Sequence, residues 1–74
     1  LVGRNKINDI VINNLAVSNQ HAKIESDGNG FLYVDLKSEN GSFAGDQLIK
    51  SHWLNDGDTI SIAKHDLKFS NPKI

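Results

Sequence analysis

At 74 residues, with 38% hydrophobic side chains and no cysteine, the chain is at most one small domain, without disulfide staples or a thiolate metal site. Its net charge of −1 argues against a broadly basic nucleic-acid face, and its longest apolar run, Ile10-Val11-Ile12, is far too short to span a membrane. No signal-peptide pattern opens it, which fits a cytoplasmic, intracellular protein. It begins with Leu1-Val2-Gly3-Arg4 and not Met, so residues 1–74 read as a single domain excerpted from a longer protein, its opening strands truncated.

Helical periodicity never survives for more than one turn. Short alternating runs are instead separated by Gly, Asn and Asp clusters, the pattern of an all-β sandwich with seven or eight short strands. Ile10 to Ile12 is a β-branched run. His21-Ala22-Lys23-Ile24-Glu25 alternates polar and apolar. Phe31 to Leu36 puts Leu32, Val34 and Leu36 on one face and Phe31, Tyr33 and Asp35 on the other. Either that second face is also covered, or Phe31 and Tyr33 form a small exposed patch. Asp27-Gly28-Asn29-Gly30 joins these runs as a tight hairpin, since Gly and Asn accept positive φ at little cost. Asn40-Gly41 marks a sharp turn. Gly45-Asp46 marks another, between Ser42-Phe43-Ala44 and Gln47-Leu48-Ile49. Trp53 reads as a residue packed over one end of the sandwich, with an exposed interaction anchor as the alternative. Asn55-Asp56-Gly57-Asp58 reads as a hairpin turn, because it lacks the spacing and closing Glu of a calcium loop. Thr59-Ile60-Ser61-Ile62 places both isoleucines on one face. Asp66-Leu67-Lys68-Phe69 closes the domain, and Pro72 is expected to end the ordered sheet. Two unpaired sheet edges would leave so small a fragment marginal or prone to aggregate.

Catalysis finds no support. His21, His52 and His65 match no common zinc spacing, and no metal or other cofactor is expected. Ser18 and His21 lie three apart, but no Gly-x-Ser-x-Gly elbow or oxyanion hole accompanies them. His21 is better read as a hydrogen-bonding residue that fixes a loop. Phosphate binding is more promising. Gly3-Arg4 ends the first strand, and the planar fork of arginine donates parallel charge-assisted bonds to phosphate. Ser18-Asn19 and Ser38-Glu39-Asn40-Gly41 fall in loops that up-and-down connections can return to the same end as Arg4. Hydroxyls and amides on loops over a rigid sheet are a common way to build a site.

Five segments in order resemble a forkhead-associated (FHA) domain. They are Leu1-Val2-Gly3-Arg4, Asn8 to Ile12, Val17 to Ile24 with its Ser-x-x-His, Asp35 to Phe43 with its Asn-Gly-Ser, and Leu54 to Ile62, read as a late hairpin. The resemblance implies an antiparallel β-sandwich with peptide-binding loops at one end, the family's first strands lying upstream of Leu1. It implies binding of a phosphothreonine-containing protein or peptide made by a Ser/Thr kinase. By position, Arg4 would bond the phosphate or the backbone beside it, and Ser18 would donate its hydroxyl to a phosphate oxygen. Asn19 would donate its amide, and Asn40 would hold the peptide main chain extended. Ser38 and Glu39 stand on the same loop as further contacts. His21 would brace the site from beneath, with Gly3 and Gly41 supplying backbone shapes that a Cβ forbids.

Three positions depart from the family pattern. Glu39 stands where many relatives carry Ser or Thr, and its carboxylate would repel a group carrying about −2 charge. The rival reading is therefore a phosphate-independent protein-interaction domain of the same fold. Ser42 replaces a Thr and keeps the hydroxyl. Ala63 replaces a common glycine and reads as harmless.

Overall fold

The computed structural model describes residues 1–70, so Pro72 lies outside the described residues. Among them are nine strands: β1 (Val2–Gly3), β2 (Ile10–Val11), β3 (Ala22–Asp27), β4 (Gly30–Asp35), β5 (Ser42–Ala44), β6 (Gln47–Ile49), β7 (Ser51–Leu54), β8 (Thr59–Ile62) and β9 (His65–Lys68). They form two sheets, ordered β2-β1-β3-β4-β7 and β6-β5-β8-β9. The strand that the sequence did not show is β7. Only Lys50 separates it from β6, and its polar Ser51 and His52 weaken the alternation.

The β3–β4 hairpin has the expected register, Ala22 opposite Asp35 and Asp27 opposite Gly30. Its turn works differently from the expectation. Neither Gly28 nor Asn29 has a positive φ; only Gly30 does, at 153°. The Asp27 carboxylate closes the turn by accepting the amides of Asn29 and Gly30 at 2.7 and 3.1 Å. The β5–β6 hairpin turns through Gly45 at φ 61°. The β8–β9 turn needs positive φ at both Ala63 and Lys64, 48° and 69°. Ala63 is therefore not neutral: a left-handed alanine costs about 1 kcal/mol relative to glycine.

One further expectation is corrected by the pairing. Asn55 to Asp58 is not a hairpin turn, because β7 pairs with β4 while β8 pairs with β5 and β9. The segment carries the chain from one sheet to the other. Asp58 shapes it by accepting the Asn55 amide at 2.8 Å and lying 3.2 Å from His52 Nε2. One pairing is parallel, β1 with β2, while all the others are antiparallel.

The core lies between the sheets. Val2, Ile12, Val17, Ala22, Tyr33, Ile60 and Ile62 are buried, with Leu54 and Leu67 packed against them. Fully burying an aliphatic side chain contributes about 1.5–3 kcal/mol. Of the two faces of β4, the one that carries Tyr33 points inward, and Tyr33 is 1% exposed. Phe31 shares that face and packs on Phe69, ring centres 5.4 Å apart. Trp53 does not pack over an end of the sandwich. It sits opposite Leu32 on the outer face of edge strand β7 and is 53% exposed.

Candidate functional site

The parallel β1–β2 pair explains why the candidate residues meet. Both strands end on the same side, where β3 begins and β4 finishes. The segments 4–9, 13–21 and 36–41 therefore converge, with no need for the up-and-down connections that the sequence suggested. Backbone bonds fasten them. The Arg4 amide donates to the Ser18 carbonyl at 3.0 Å, and the Asn5 amide to the Asn19 carbonyl at 3.3 Å. The His21 amide reaches the Val2 carbonyl at 2.7 Å. From the third segment, the Glu39 amide donates to Ser18 Oγ at 3.0 Å and Asn40 Nδ2 to the Ala16 carbonyl at 2.7 Å.

Arg4, Ser18, Asn19, Glu39 and Asn40 thus border one patch. Arg4 is half-buried and forms no ion pair among the described residues. Ser18 Oγ accepts a hydrogen bond from Glu39 and keeps its own proton to donate outward. Asn19 is exposed. Asn40 spends one amide hydrogen on Ala16, and its second hydrogen and its oxygen make no bond among the described residues. Glu39 brings its amide to Ser18 while its side chain is exposed.

Gly3 and Gly41 serve by different means. Gly3 has no positive φ. A Cβ there would collide with the Asn19 carbonyl oxygen and sit 2.8 Å from Asn8 Nδ2, so glycine lets the first two segments touch. Gly41 has φ 83°, and its Cβ would also lie 2.5 Å from Leu48 Cδ1.

Beneath the patch runs a buried polar brace. His21 is fully buried. The Ser18 amide donates to its Nδ1 at 3.2 Å, which puts the ring proton on Nε2 for donation to the Gly41 carbonyl at 2.8 Å. One imidazole thereby joins two of the site's segments. Ser38 belongs to the brace and not to the open patch. Its hydroxyl donates to Asp35 Oδ1 at 2.6 Å and accepts the Gly41 amide at 3.0 Å. Ser42 also donates to Asp35 Oδ1, at 2.7 Å, so the Tyr33 hydroxyl donates to Ser42 Oγ at 2.8 Å. Burial pushes the Tyr33 phenol up to about 12; the Ser42 bond opposes this and nearby Asp35 adds to it.

Asp35, Ser42, Tyr33 and Asn8 had not been singled out for the site. Asp35-x-x-Ser38 has the spacing of a local side-chain-to-backbone turn and could have been noticed. Asn8 carried no such signal. It is buried, and its amide ties the carbonyls of Asn5 and Asn19 at 2.8 and 2.6 Å.

Burial raises the Asp35 carboxyl, but bonds from Ser38 and Ser42 outweigh it and hold the group below the usual carboxylate range. Asp35→Asn should cost about 1–3 kcal/mol, because an NH2 group would face a donor. A depressed folded pKa adds stability above the unfolded value and loses it as pH falls through the folded value. The gap in urea midpoint between wild type and Asp35→Asn should therefore close on acidification. A gap that stays constant to low pH would show that charge plays no part.

Comparison with known proteins places this geometry. The family model for the FHA domain matches residues 1–63. The transcriptional regulatory protein EmbR of Mycobacterium tuberculosis is 41% identical over 69 residues, spanning 92% of this chain and 18% of EmbR. The oxoglutarate dehydrogenase inhibitor of Corynebacterium jeikeium is 35% identical over 69 residues, 93% of this chain and 48% of that protein. The chain thus spans less than half the length of these relatives. A structure from work on phosphothreonine-dependent FHA domain interactions superimposes with a TM-score of 0.93 at 26% identity, covering 100% of this chain and 77% of that one. EmbR in complex with a low-affinity phosphopeptide superimposes with a TM-score of 0.88 at 38% identity, covering 93% of this chain and 18% of that one. Among the described residues, no helix is long and apolar enough to cross a membrane.

Proposed function

The chain belongs to the FHA domain family, and from that premise we propose that it is a phosphothreonine-dependent binding module, recruiting partners after a Ser/Thr kinase has acted. The observation that carries the proposal is the join at Ser18. The Arg4 amide and the Glu39 amide meet on this one residue, which brings the backbones of Arg4, Ser18 and Glu39 together; among the described residues the Arg4 guanidinium forms no ion pair, and Ser18 keeps a hydroxyl proton to donate. Those are donors, and a phosphate offers only acceptors.

Arg4 and Ser18 hold the phosphate. Asn19 and Asn40 bond the peptide main chain beside it. His21, Ser38 and Asp35 keep the loops in place. Residues 1–74 act as one such module, binding and not catalysing, in the compartment where kinases work. One to three charge-assisted bonds of about 1.5–3 kcal/mol each, less the cost of ordering an extended peptide, give affinity on the order of micromolar.

Fluorescence anisotropy with degenerate phosphothreonine, phosphoserine and unphosphorylated peptide libraries tests the reading. Saturable binding to the phosphothreonine library alone is the expected result. Equal binding to all three would favour a phosphate-independent interaction domain. Glu39 sharpens the test. Removing its charge in Glu39→Thr should tighten phosphopeptide binding about fivefold, since one carboxylate about 4 Å from phosphate in water costs ~1 kcal/mol. Unchanged affinity would mean that the carboxylate is turned away from the ligand.

A further inference from the structure

Two asparagines of the chain precede a glycine, Asn29 and Asn40. Such a pair carries its own chemistry. The glycine amide nitrogen attacks Cγ of the asparagine, unhindered because glycine has no Cβ. A bond forms between that nitrogen and Cγ, and the bond from Cγ to Nδ2 breaks. Nδ2 leaves as ammonia with the proton that the amide gives up. Water then opens the cyclic imide on either side and leaves an aspartyl or an isoaspartyl residue. Water is consumed and ammonia released, with no oxidant or reductant.

The structure treats the two pairs differently. Asn29 is exposed in the β3–β4 turn, and its side chain makes no hydrogen bond among the described residues. The Gly30 amide is tied within the turn itself, to Asp27 at 3.1 Å, so opening of the turn alone releases it. At Asn40 both reacting groups are held by other parts of the site. Its Nδ2 donates to the Ala16 carbonyl at 2.7 Å, 24 residues away, and Cγ is fixed along with it. The Gly41 amide, which would attack, donates to Ser38 Oγ at 3.0 Å, and that hydroxyl is itself fastened to Asp35 at 2.6 Å. His21 holds the Gly41 carbonyl at 2.8 Å. Ring closure at Asn40 therefore needs these segments to separate.

We infer that Asn40-Gly41 is a latent deamidation site kept closed by the buried brace, reacting when the 13–21 and 36–41 segments come apart. The product undoes the patch. A carboxylate in place of the amide sets an oxygen against the Ala16 carbonyl, acceptor facing acceptor, so the tie between the segments is lost. It also adds a negative charge next to Glu39, against a phosphate carrying about −2 charge. That loss of binding rests on the phosphate-binding reading above; the chemistry and its gate do not. Each opening of the site then carries a chance of permanent inactivation. The residue placed to serve the ligand also limits the working life of the module.

The full chain is held at mildly alkaline pH, folded and in urea, and both sites are followed by peptide mapping with mass spectrometry. In urea Asn29 and Asn40 should react at similar rates, since structure protects neither. In the folded chain Asn40 should react at least about tenfold more slowly than Asn29, because local opening sets its rate. Ser38→Ala frees the Gly41 amide and should speed the reaction at Asn40 about fivefold while leaving Asn29 unchanged. Should that variant fail to fold, Asn40 would react at its urea rate, and the wild-type comparison decides. A rate at Asn40 as fast folded as in urea, or no reaction there in urea, would overturn the inference. Asn40→Asp should weaken binding of a phosphothreonine peptide about tenfold or more. Asn29→Asp, at the opposite end of the hairpin, should leave it unchanged. Equal binding by the two variants would overturn the loss of function. Failure of wild type to bind any phosphothreonine peptide would overturn the phosphate reading and leave the gate standing.

Discussion

Replacing His21 by alanine is expected to cost about 4 kcal/mol, a large share of what so small a domain possesses. The imidazole satisfies the Ser18 amide and the Gly41 carbonyl at once. Its loss orphans two part-buried backbone groups at about 1–3 kcal/mol each and leaves a cavity besides. Urea unfolding followed by circular dichroism measures the loss. A change below about 1 kcal/mol would show that water or a neighbour replaces the ring. His21→Gln should recover part of the stability, because its amide can donate to Gly41 but offers Ser18 no ring nitrogen. Phosphopeptide binding should fall in both variants in step with the lost tie between segments.

Replacing Arg4 by alanine should act on binding and spare the fold. Its backbone amide, which holds Ser18, survives the substitution. Only the guanidinium disappears, with its one or two charge-assisted bonds to phosphate. At about 1.5–3 kcal/mol, phosphothreonine affinity should drop roughly ten- to a hundredfold with the urea midpoint nearly unchanged. Arg4→Lys should fall between, because an ammonium keeps the charge and loses the planar fork. The weak background to unphosphorylated peptide should not move. A loss smaller than twofold on the phosphorylated peptide would place the phosphate elsewhere on the patch.

What the sequence made legible follows the reach of its signals. The β3–β4 and β5–β6 hairpins join neighbouring strands through short turns, so local residue types announce them, whereas the β8–β9 turn through left-handed Ala63 and Lys64 carries no such signal. The crossing at Asn55 to Asp58 was misread because alternation says which residues face inward and not which sheet they join. Tyr33 was ambiguous for a similar reason. Its hydroxyl is tolerable inside only because Ser42, nine residues away and on the other sheet, accepts its proton. Trp53 misled because its size suggested burial, whereas its register opposite Leu32 turns it outward. In the site, the candidate ligand residues were carried by the FHA resemblance. The brace beneath was only partly seen. His21 stood out as a hydrogen-bonding residue that fixes a loop, but Asp35 looked like an ordinary end of a strand. Ser38 looked like a ligand contact until the structure showed both sides of its hydroxyl engaged.

The ties that make the patch are all distant along the chain. Ser18 and Glu39 are 21 residues apart, His21 and Gly41 are 20 apart, and Ala16 and Asn40 are 24 apart. No short stretch of the polypeptide can rehearse this arrangement by itself. The entropy of closing those loops must be spent before any one contact repays it, so the patch forms late in folding. A nascent or partly opened chain is therefore blind to phosphate, however many of the right residues it carries. On the proposed function the coupling also runs in reverse: a bound phosphopeptide would favour the closed form and stabilise both sheets by mass action. On the proposed function, abundance of the phosphorylated partner becomes one of the quantities that sets what fraction of the module is folded.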